Sequence, residues 1–306
     1  MKKFITTSIL FIVVGIIVGE LIARLFVISP DIPKRSIDQW GVQKYIPNQV
    51  GTWKGGEHSW QINKLGWPGI LPSSNENLIT IIGDSFIENF MNPDSCHQKV
   101  YLKNRLPQFN FLEASRSGVN FLEATLIADQ LDSLEPKYQL LYLYDSDFKE
   151  SITQLNKNKQ ITQFDVSKKE IIQAELQSSL AKNTLYNLKF IYYLYSHYWQ
   201  QKEPATKTLK KEKLPDLESM KILLSSFSDS VRTNNRILVF RPGTNHNIIR
   251  LCKNMGYKYI ILRKLEDQQW SFDYDSHWTC FGHNEAARQI VEKLNQIANN
   301  RKALVN

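Results

Sequence analysis

Cysteine is scarce in this chain. Only Cys96, Cys252 and Cys280 are present, and none form a CxxC pair. Neither a structural zinc site nor a thioredoxin-type motif is therefore supported. Three cysteines permit at most one intrachain disulfide and leave one thiol, and sequence alone does not choose the pair. Cys280 lies close to His277, but free cysteine is commonly a small buried residue, so it is read as packing rather than as a nucleophile. No nucleic-acid reader motif is found either. The lysines are scattered, so the net charge of +8 and a pI near 9.2 do not predict a nucleic-acid partner. The densest basic run, Lys207 to Lys213, lies between Pro204 and Pro215 and reads as a solvated loop. No internal repeat is visible.

Two further absences concern the N-terminus. Lys2-Lys3 precede a mostly apolar stretch from Phe4 to Ile28, which no A-x-A-like cleavage site follows. No cysteine follows it, which excludes a lipoprotein anchor. The 25 residues suffice to cross ~30 Å of hydrocarbon with some tilt, so an uncleaved anchor in the lipid bilayer is expected over residues 4–28. Glu20 and Arg24 stand four apart, share a helix face and can neutralise each other. Arg24 can also snorkel to the interface. Lys2 and Lys3 favour a cytoplasmic N-terminus, and Lys34 and Arg35 on the far flank weaken that contrast. The rest of the chain is expected outside the cytoplasm.

What remains is ordinary for a folded protein. Of 306 residues, 42% are hydrophobic and 22% charged, enough for a substantial core. Residues 1–29 are read as the anchor, and 30–75, rich in Gly, Pro, Trp and Asn, as an extended segment packed on the main domain. Residues 76–300 form that domain. Strands are expected at Leu78–Ile82, Phe109–Ala114, Gln139–Tyr144, Arg236–Phe240 and Lys258–Leu262. Helices are expected around His97–Arg105, Asn120–Leu134, Ile248–Met255 and Gly282–Asn299. Such alternation predicts an α/β fold: a three-layer α/β/α sandwich around a mostly parallel sheet of about five strands. Residues 165–233 read as a helical insertion. The aromatic run from Leu185 to Trp199 within it reads as helix core, or else as a lid or a surface resting on lipid.

The first strand runs into Gly83-Asp84-Ser85. A serine just past the carboxyl end of a parallel strand stands where open α/β sheets place their ligands. A helix starting there would turn its N–H groups toward an oxyanion, with Gly83 permitting the turn. Near the other end lies Asp273-Tyr-Asp275-Ser-His277-Trp278. A histidine with an acid two residues earlier suits a base and its orienting carboxylate, with Asp273 as the reserve acid.

These blocks resemble the SGNH (GDSL-like) hydrolase superfamily over roughly residues 76 to 295. Gly83-Asp84-Ser85 is similar to its first block, Ser117-Gly118-Val119-Asn120 to its second, and Asp275-Ser276-His277-Trp278 to its last. An anchor ending in Gly19-Glu20-Leu21 and a turn like Asn63 to Gly66 resemble membrane-anchored bacterial envelope proteins of that group. The resemblance implies Ser85 as nucleophile, His277 as base and Asp275 as orienting acid. It implies an oxyanion hole from Ser85, Gly118 and the third block. There the family has Gly-x-Asn-Asp, whereas this chain has Asp145-Ser146-Asp147, which puts Ser146 where an amide is expected. The expected activity is a serine esterase acting on O-acyl, chiefly O-acetyl, esters of an acylated saccharide or other small ester at the cell envelope. It needs neither metal nor organic cofactor. Two alternatives stand beside it: an O-acetyltransferase for an exported polysaccharide, and a degenerate scaffold used for binding or assembly.

Overall fold

The structure is a computed structural model that describes residues 2–198, 216–232, 235–265 and 268–303. The basic run Lys207 to Lys213 and Trp199 lie outside the described residues.

A single helix, α1 (Lys2–Leu25), opens the chain. Among the described residues it alone is long and apolar enough to cross a membrane or to serve as a signal sequence. Two short antiparallel pairs follow: β1 (Arg35–Ile37) with β2 (Gln43–Tyr45), and β3 (Val50–Thr52) with β4 (Ser59–Gln61). The turn from Asn63 to Gly66 is built by the Asn63 side chain, whose oxygen accepts N–H bonds from Leu65 and Trp67. Trp67 and Tyr45 are buried, so this segment is packed down rather than free.

The central sheet is parallel. Its strands are β5 (Leu78–Gly83), β6 (Asn110–Ser115), β7 (Tyr138–Leu143), β10 (Arg236–Phe240) and β11 (Tyr259–Ile261), in the order β11-β10-β7-β5-β6. In β5 an unbroken Leu-Ile-Thr-Ile-Ile run is buried on both faces, as a central parallel strand requires. Side-chain alternation then divides the core in two. Leu78, Ile82, Leu141, Leu143, Leu238 and Phe240 share one face. Ile79, Ile81, Leu140, Tyr142, Ile237 and Val239 share the other. Each such fully buried side chain contributes roughly 1.5–3 kcal/mol relative to exposure.

The first face is covered by α4 (Phe121–Leu131), α8 (Leu217–Ser226) and α10 (His246–Asn254). The second is covered by α3 (Gln98–Arg105) and α11 (Cys280–Ala303). This is the three-layer sandwich expected from the strand pattern.

The reading of 165–233 as a helical insertion is corrected in two respects. The stretch begins in an antiparallel hairpin, β8 (Gln163–Asp165) with β9 (Glu170–Ile172). Further on, Met220, Leu223 and Leu224 of α8 are fully buried in the core beside Leu141 and Phe240, so α8 is part of the sandwich itself. Among the described helices of this stretch, α6 (Ser179–Asn187) and α7 (Lys189–Tyr198) stand apart, and the aromatic α7 packs against α1 instead of the sheet core. Cys96 and Cys280 form a disulfide, which corrects the expectation of Cys280 as a free packing residue. The remaining thiol, Cys252, is buried, and burial pushes its pKa up to about 12.

Candidate active site

β5 ends at Gly83, and α2 (Ser85–Glu88) begins at once. Room rather than an unusual φ makes glycine necessary here. A Cβ on Gly83 would stand 2.7 Å from Ile87 Cγ1 and 3.2 Å from the Tyr142 Cβ, so any side chain would push the helix off the strand. Asp84 caps α2, its Oδ1 accepting the Phe86 N–H at 3.0 Å. Ser85 is thus fixed at the sheet's carboxyl edge with its side chain only half-buried.

His277 comes from the loop before α11. Its Nε2 lies 2.7 Å from Ser85 Oγ, and its Nδ1 meets Asp275 Oδ1 in a short contact. A carboxylate only accepts, so Nδ1 carries the proton and Nε2 is left to accept from the serine hydroxyl. Asp275 Oδ1 also accepts the His277 backbone N–H at 2.9 Å, which ties acid and base into one turn. Burial acts to raise the Asp275 pKa, but the N–H groups of His277 and Ser276 and the imidazole outweigh it and hold the carboxyl below its ordinary value. Asp273 is not brought to the imidazole. It is exposed and accepts from Gln269 Nε2 at 3.2 Å.

The histidine loop is pinned from several sides. Phe86 packs at a tilt against the His277 ring with centroids 4.7 Å apart and meets Trp278 edge-on at 5.6 Å. Asn92 donates to the Trp278 carbonyl at 2.9 Å, and the Cys96–Cys280 disulfide ties the same region to the start of α11.

Gly118 lies in the loop after β6, the strand beside β5, and Arg116 N–H continues the ladder to the Gly83 carbonyl at 3.2 Å. Asn120, in the same block, is committed elsewhere. It caps α4 by accepting from Glu123 N–H at 2.8 Å and donates to the Thr162 carbonyl at 2.9 Å. Ser146 stands in the first turn of α5 (Asp145–Glu150), beyond β7 on the other side of β5. Its hydroxyl lies 3.4 Å from Asp147 Oδ1, a long hydrogen bond. Asp145 turns away to accept the Asn245 N–H at 2.8 Å.

Two site residues escaped the sequence reading. Arg241, just past β10, lays its guanidinium 3.7 Å from the Phe86 ring centroid and 4.7 Å from that of Tyr144. Its Nη1 is 3.3 Å from Asp84 Oδ2. Burial, and then the Asp84 charge, hold the Asp147 carboxyl well above its usual range, while Arg241 pulls it back. Arg241 therefore offsets acidic charge beneath Ser85. The second is Glu88, one turn after Ser85. Its Oε1 accepts the Ser117 N–H at 2.6 Å and the Tyr45 hydroxyl in a short contact. Burial raises the Glu88 pKa, and the neighbouring Arg35 charge works against that rise. Glu88 thereby ties the loop carrying Gly118 to the helix carrying Ser85.

Glu88→Ala should leave the Tyr45 hydroxyl and Ser117 N–H without their acceptor. The expected cost is roughly 1–3 kcal/mol in denaturant unfolding. Any reaction at Ser85 that uses the Gly118 N–H should slow roughly tenfold, in kcat more than in KM. Glu88→Gln, which keeps an acceptor in place, should recover most of both; an equal loss in the two variants would contradict the positioning role.

No protein-family model and no curated protein matches the chain. Solved structures do. TesA covers 71% of this chain and 97% of its own at 9% identity and a TM-score of 0.39. A protein of the G-D-S-L family from Desulfitobacterium hafniense covers 71% and 98% at 8% identity and a TM-score of 0.36. A GDSL-like lipase from Bacteroides thetaiotaomicron covers 74% and 93% at 12% identity and a TM-score of 0.32. At such identities and scores, the assignment of chemistry rests on the residues themselves.

Proposed function

We propose that the chain is an SGNH-type serine esterase acting on O-acyl esters at the cell envelope. One observation carries this reading: the Ser85 hydroxyl, the two nitrogens of His277 and the Asp275 carboxylate stand in a continuous hydrogen-bonded line. His277 takes the serine proton as Ser85 Oγ attacks the acyl carbonyl carbon, and the carbonyl electron pair moves onto oxygen. The N–H groups of Ser85 and Gly118 receive that oxyanion, with the Ser146 hydroxyl as a third donor. Collapse expels the alcohol, which takes the proton back from His277. Water then repeats the sequence and frees the acid and Ser85. No step calls for a metal or an organic cofactor.

The envelope setting is supported by two features. A disulfide fits an oxidising compartment. The end of α1 makes specific contacts with the rest of the chain: Arg24 donates to the Asn187 carbonyl at 2.6 Å, and Glu20 accepts the N–H groups of Lys189 and Phe190 at 3.1 and 2.9 Å. A cleaved helix would forfeit these bonds, so α1 is read as a retained anchor.

The test is turnover of p-nitrophenyl acetate by the full chain, with and without an oligosaccharide acceptor. Wild type is expected to release p-nitrophenol and Ser85→Ala is not. Acetylated oligosaccharide among the products would move the reading from hydrolysis to acyl transfer. Ser146 in place of an amide favours a second reading, a scaffold that has lost catalysis. Ser146→Asn supplies a longer donor and is expected to keep or raise kcat. A folded wild type and Ser146→Asn that are both inert would establish the scaffold instead.

A further inference from the structure

The anchor and α7 are locked together. A Cβ on Gly19 would fall 2.7 Å from the Phe190 ring, so only glycine allows this approach. With the Glu20 and Arg24 bonds described above, the contact fixes how the chain leaves the membrane. Helix α1 has 24 residues and is ~36 Å long, against ~30 Å of hydrocarbon. With Lys2 and Lys3 at one interface, Arg24 reaches the other. Asn187, which accepts from Arg24, therefore marks headgroup height.

At that height two clefts meet. One, of about 220 Å³, is lined by Lys34, Arg35, Gln43, Lys182, Asn183 and Tyr186 among others. The other, of about 260 Å³, shares Lys34, Asn183 and Tyr186 and continues to Asn187 and Lys189. Their cations differ in kind. Lys189 is already neutralised by Asp31 at 2.7 Å. Lys34, Arg35 and Lys182 make no ion pair among the described residues, and no carboxylate stands among the described residues lining the first cleft. Lys182 Nζ donates to the amide oxygen of Gln160, at 2.8 Å, and Arg35 lies over the Tyr45 ring. Two apolar side chains nearby in the chain are exposed: Leu180, on the helix α6 that lines the cleft, is 82% exposed, and Phe26, just beyond α1, is 65% exposed.

We infer that this cleft binds a phosphate group, supplied by the headgroup of a phospholipid in the leaflet where α1 ends. Lys34, Lys182 and the amide of Asn183 suit phosphate oxygens, which only accept, while the Arg35 charge, shared with Glu88, stands behind them. The exposed Leu180 and Phe26 suit the adjoining acyl region. A free phosphate ester offers the same oxygens without the chains. The inference rests on α1 spanning the bilayer and is independent of the chemistry at Ser85.

Native mass spectrometry of the detergent-solubilised full chain tests it, with phosphatidylglycerol, diacylglycerol and water-soluble glycerol phosphate as separate probes. Wild type is expected to retain one phosphatidylglycerol at about tenfold lower concentration than diacylglycerol. The exposed-cation variant Lys34→Ala/Lys182→Ala should need about tenfold more lipid. Lys264→Ala/Lys293→Ala, with the same charge loss elsewhere, should match wild type. Equal retention by both variants would overturn the site, and glycerol phosphate binding as tightly as phosphatidylglycerol would overturn the lipid as its source. The same spectra give the intact mass, so a chain lacking α1 would expose failure of the anchor reading separately. Ester turnover of the variants should equal that of wild type.

Discussion

His277→Ala is expected to reduce ester turnover roughly 10⁵–10⁶-fold with little change in KM. Among the described residues the imidazole is the only group hydrogen-bonded to the Ser85 hydroxyl, and without it the proton has no acceptor at the moment of attack. Asp275→Asn should cost less, roughly 10⁴-fold, because an amide in place of the carboxylate favours the wrong imidazole tautomer without removing the base. The two losses should not add. Combined with Ser85→Ala, each should cost almost nothing further, since the residues act as a unit. Steady-state kinetics on the single and double variants checks both points, and additive losses would mean that the three side chains work separately. Asp273→Asn is the control: its carboxylate faces Gln269 and should leave kcat within about twofold of wild type, a surface change remote from the transferred proton.

The second large effect is on stability. Cys96 and Cys280 are 184 residues apart in sequence, so their bond removes much of the unfolded chain's freedom. Loop-closure entropy gives about 5 kcal/mol for such a span, and removal of native disulfides commonly costs about 2–5 kcal/mol. Cys280→Ser should therefore lower the midpoint of thermal unfolding by roughly 5–15 °C. A reducing agent should destabilise wild type to the same extent and leave the variant unaffected. Because Cys280 lies three residues past His277, activity should be lost with heating no later than the fold. A variant melting with wild type would show that the bond is absent or makes no net contribution.

Much of this architecture was legible in the sequence because it is written locally. The β5 run, Leu-Ile-Thr-Ile-Ile, is mostly apolar and rich in β-branched residues, as a strand buried on both faces requires. The serine after it and the Asp-x-His near the last helix are short patterns whose meaning lies in their position on a sheet edge. Glu88 and Arg241 carry no such pattern. A glutamate one turn after a serine reads as an ordinary helix residue until folding brings Ser117 and Tyr45 to it. Arg241 acquires its role only when β10 is laid beside β7, which places it against Phe86 and Asp84. The cysteine pairing was open for the same reason, since contact across 184 residues leaves no local trace. Residues 165–172 carry no clear strand pattern, and the hairpin there rests on tertiary support: Phe164 packs into the core beside Phe227.

The departure at Ser146 is where fold and catalysis separate. The loop keeps its place at the sheet edge, with Asp147 Oδ2 accepting the Tyr144 N–H at 2.7 Å, while the donor itself is shortened from an amide to a hydroxyl. A lost oxyanion donor costs ~10²–10³ in rate in well-studied hydrolases. On the proposed reading Ser85 is still activated by His277, with the oxyanion held less firmly.

Activation of Ser85 is therefore the central claim, and covalent labelling reads it without knowledge of the substrate. The full chain would be treated with a fluorophosphonate, digested and mapped by mass spectrometry. The account predicts a single adduct on the peptide carrying Ser85, absent from Ser85→Ala and strongly slowed in His277→Ala. A folded protein that takes up no label at Ser85, or labels equally fast without His277, would contradict it.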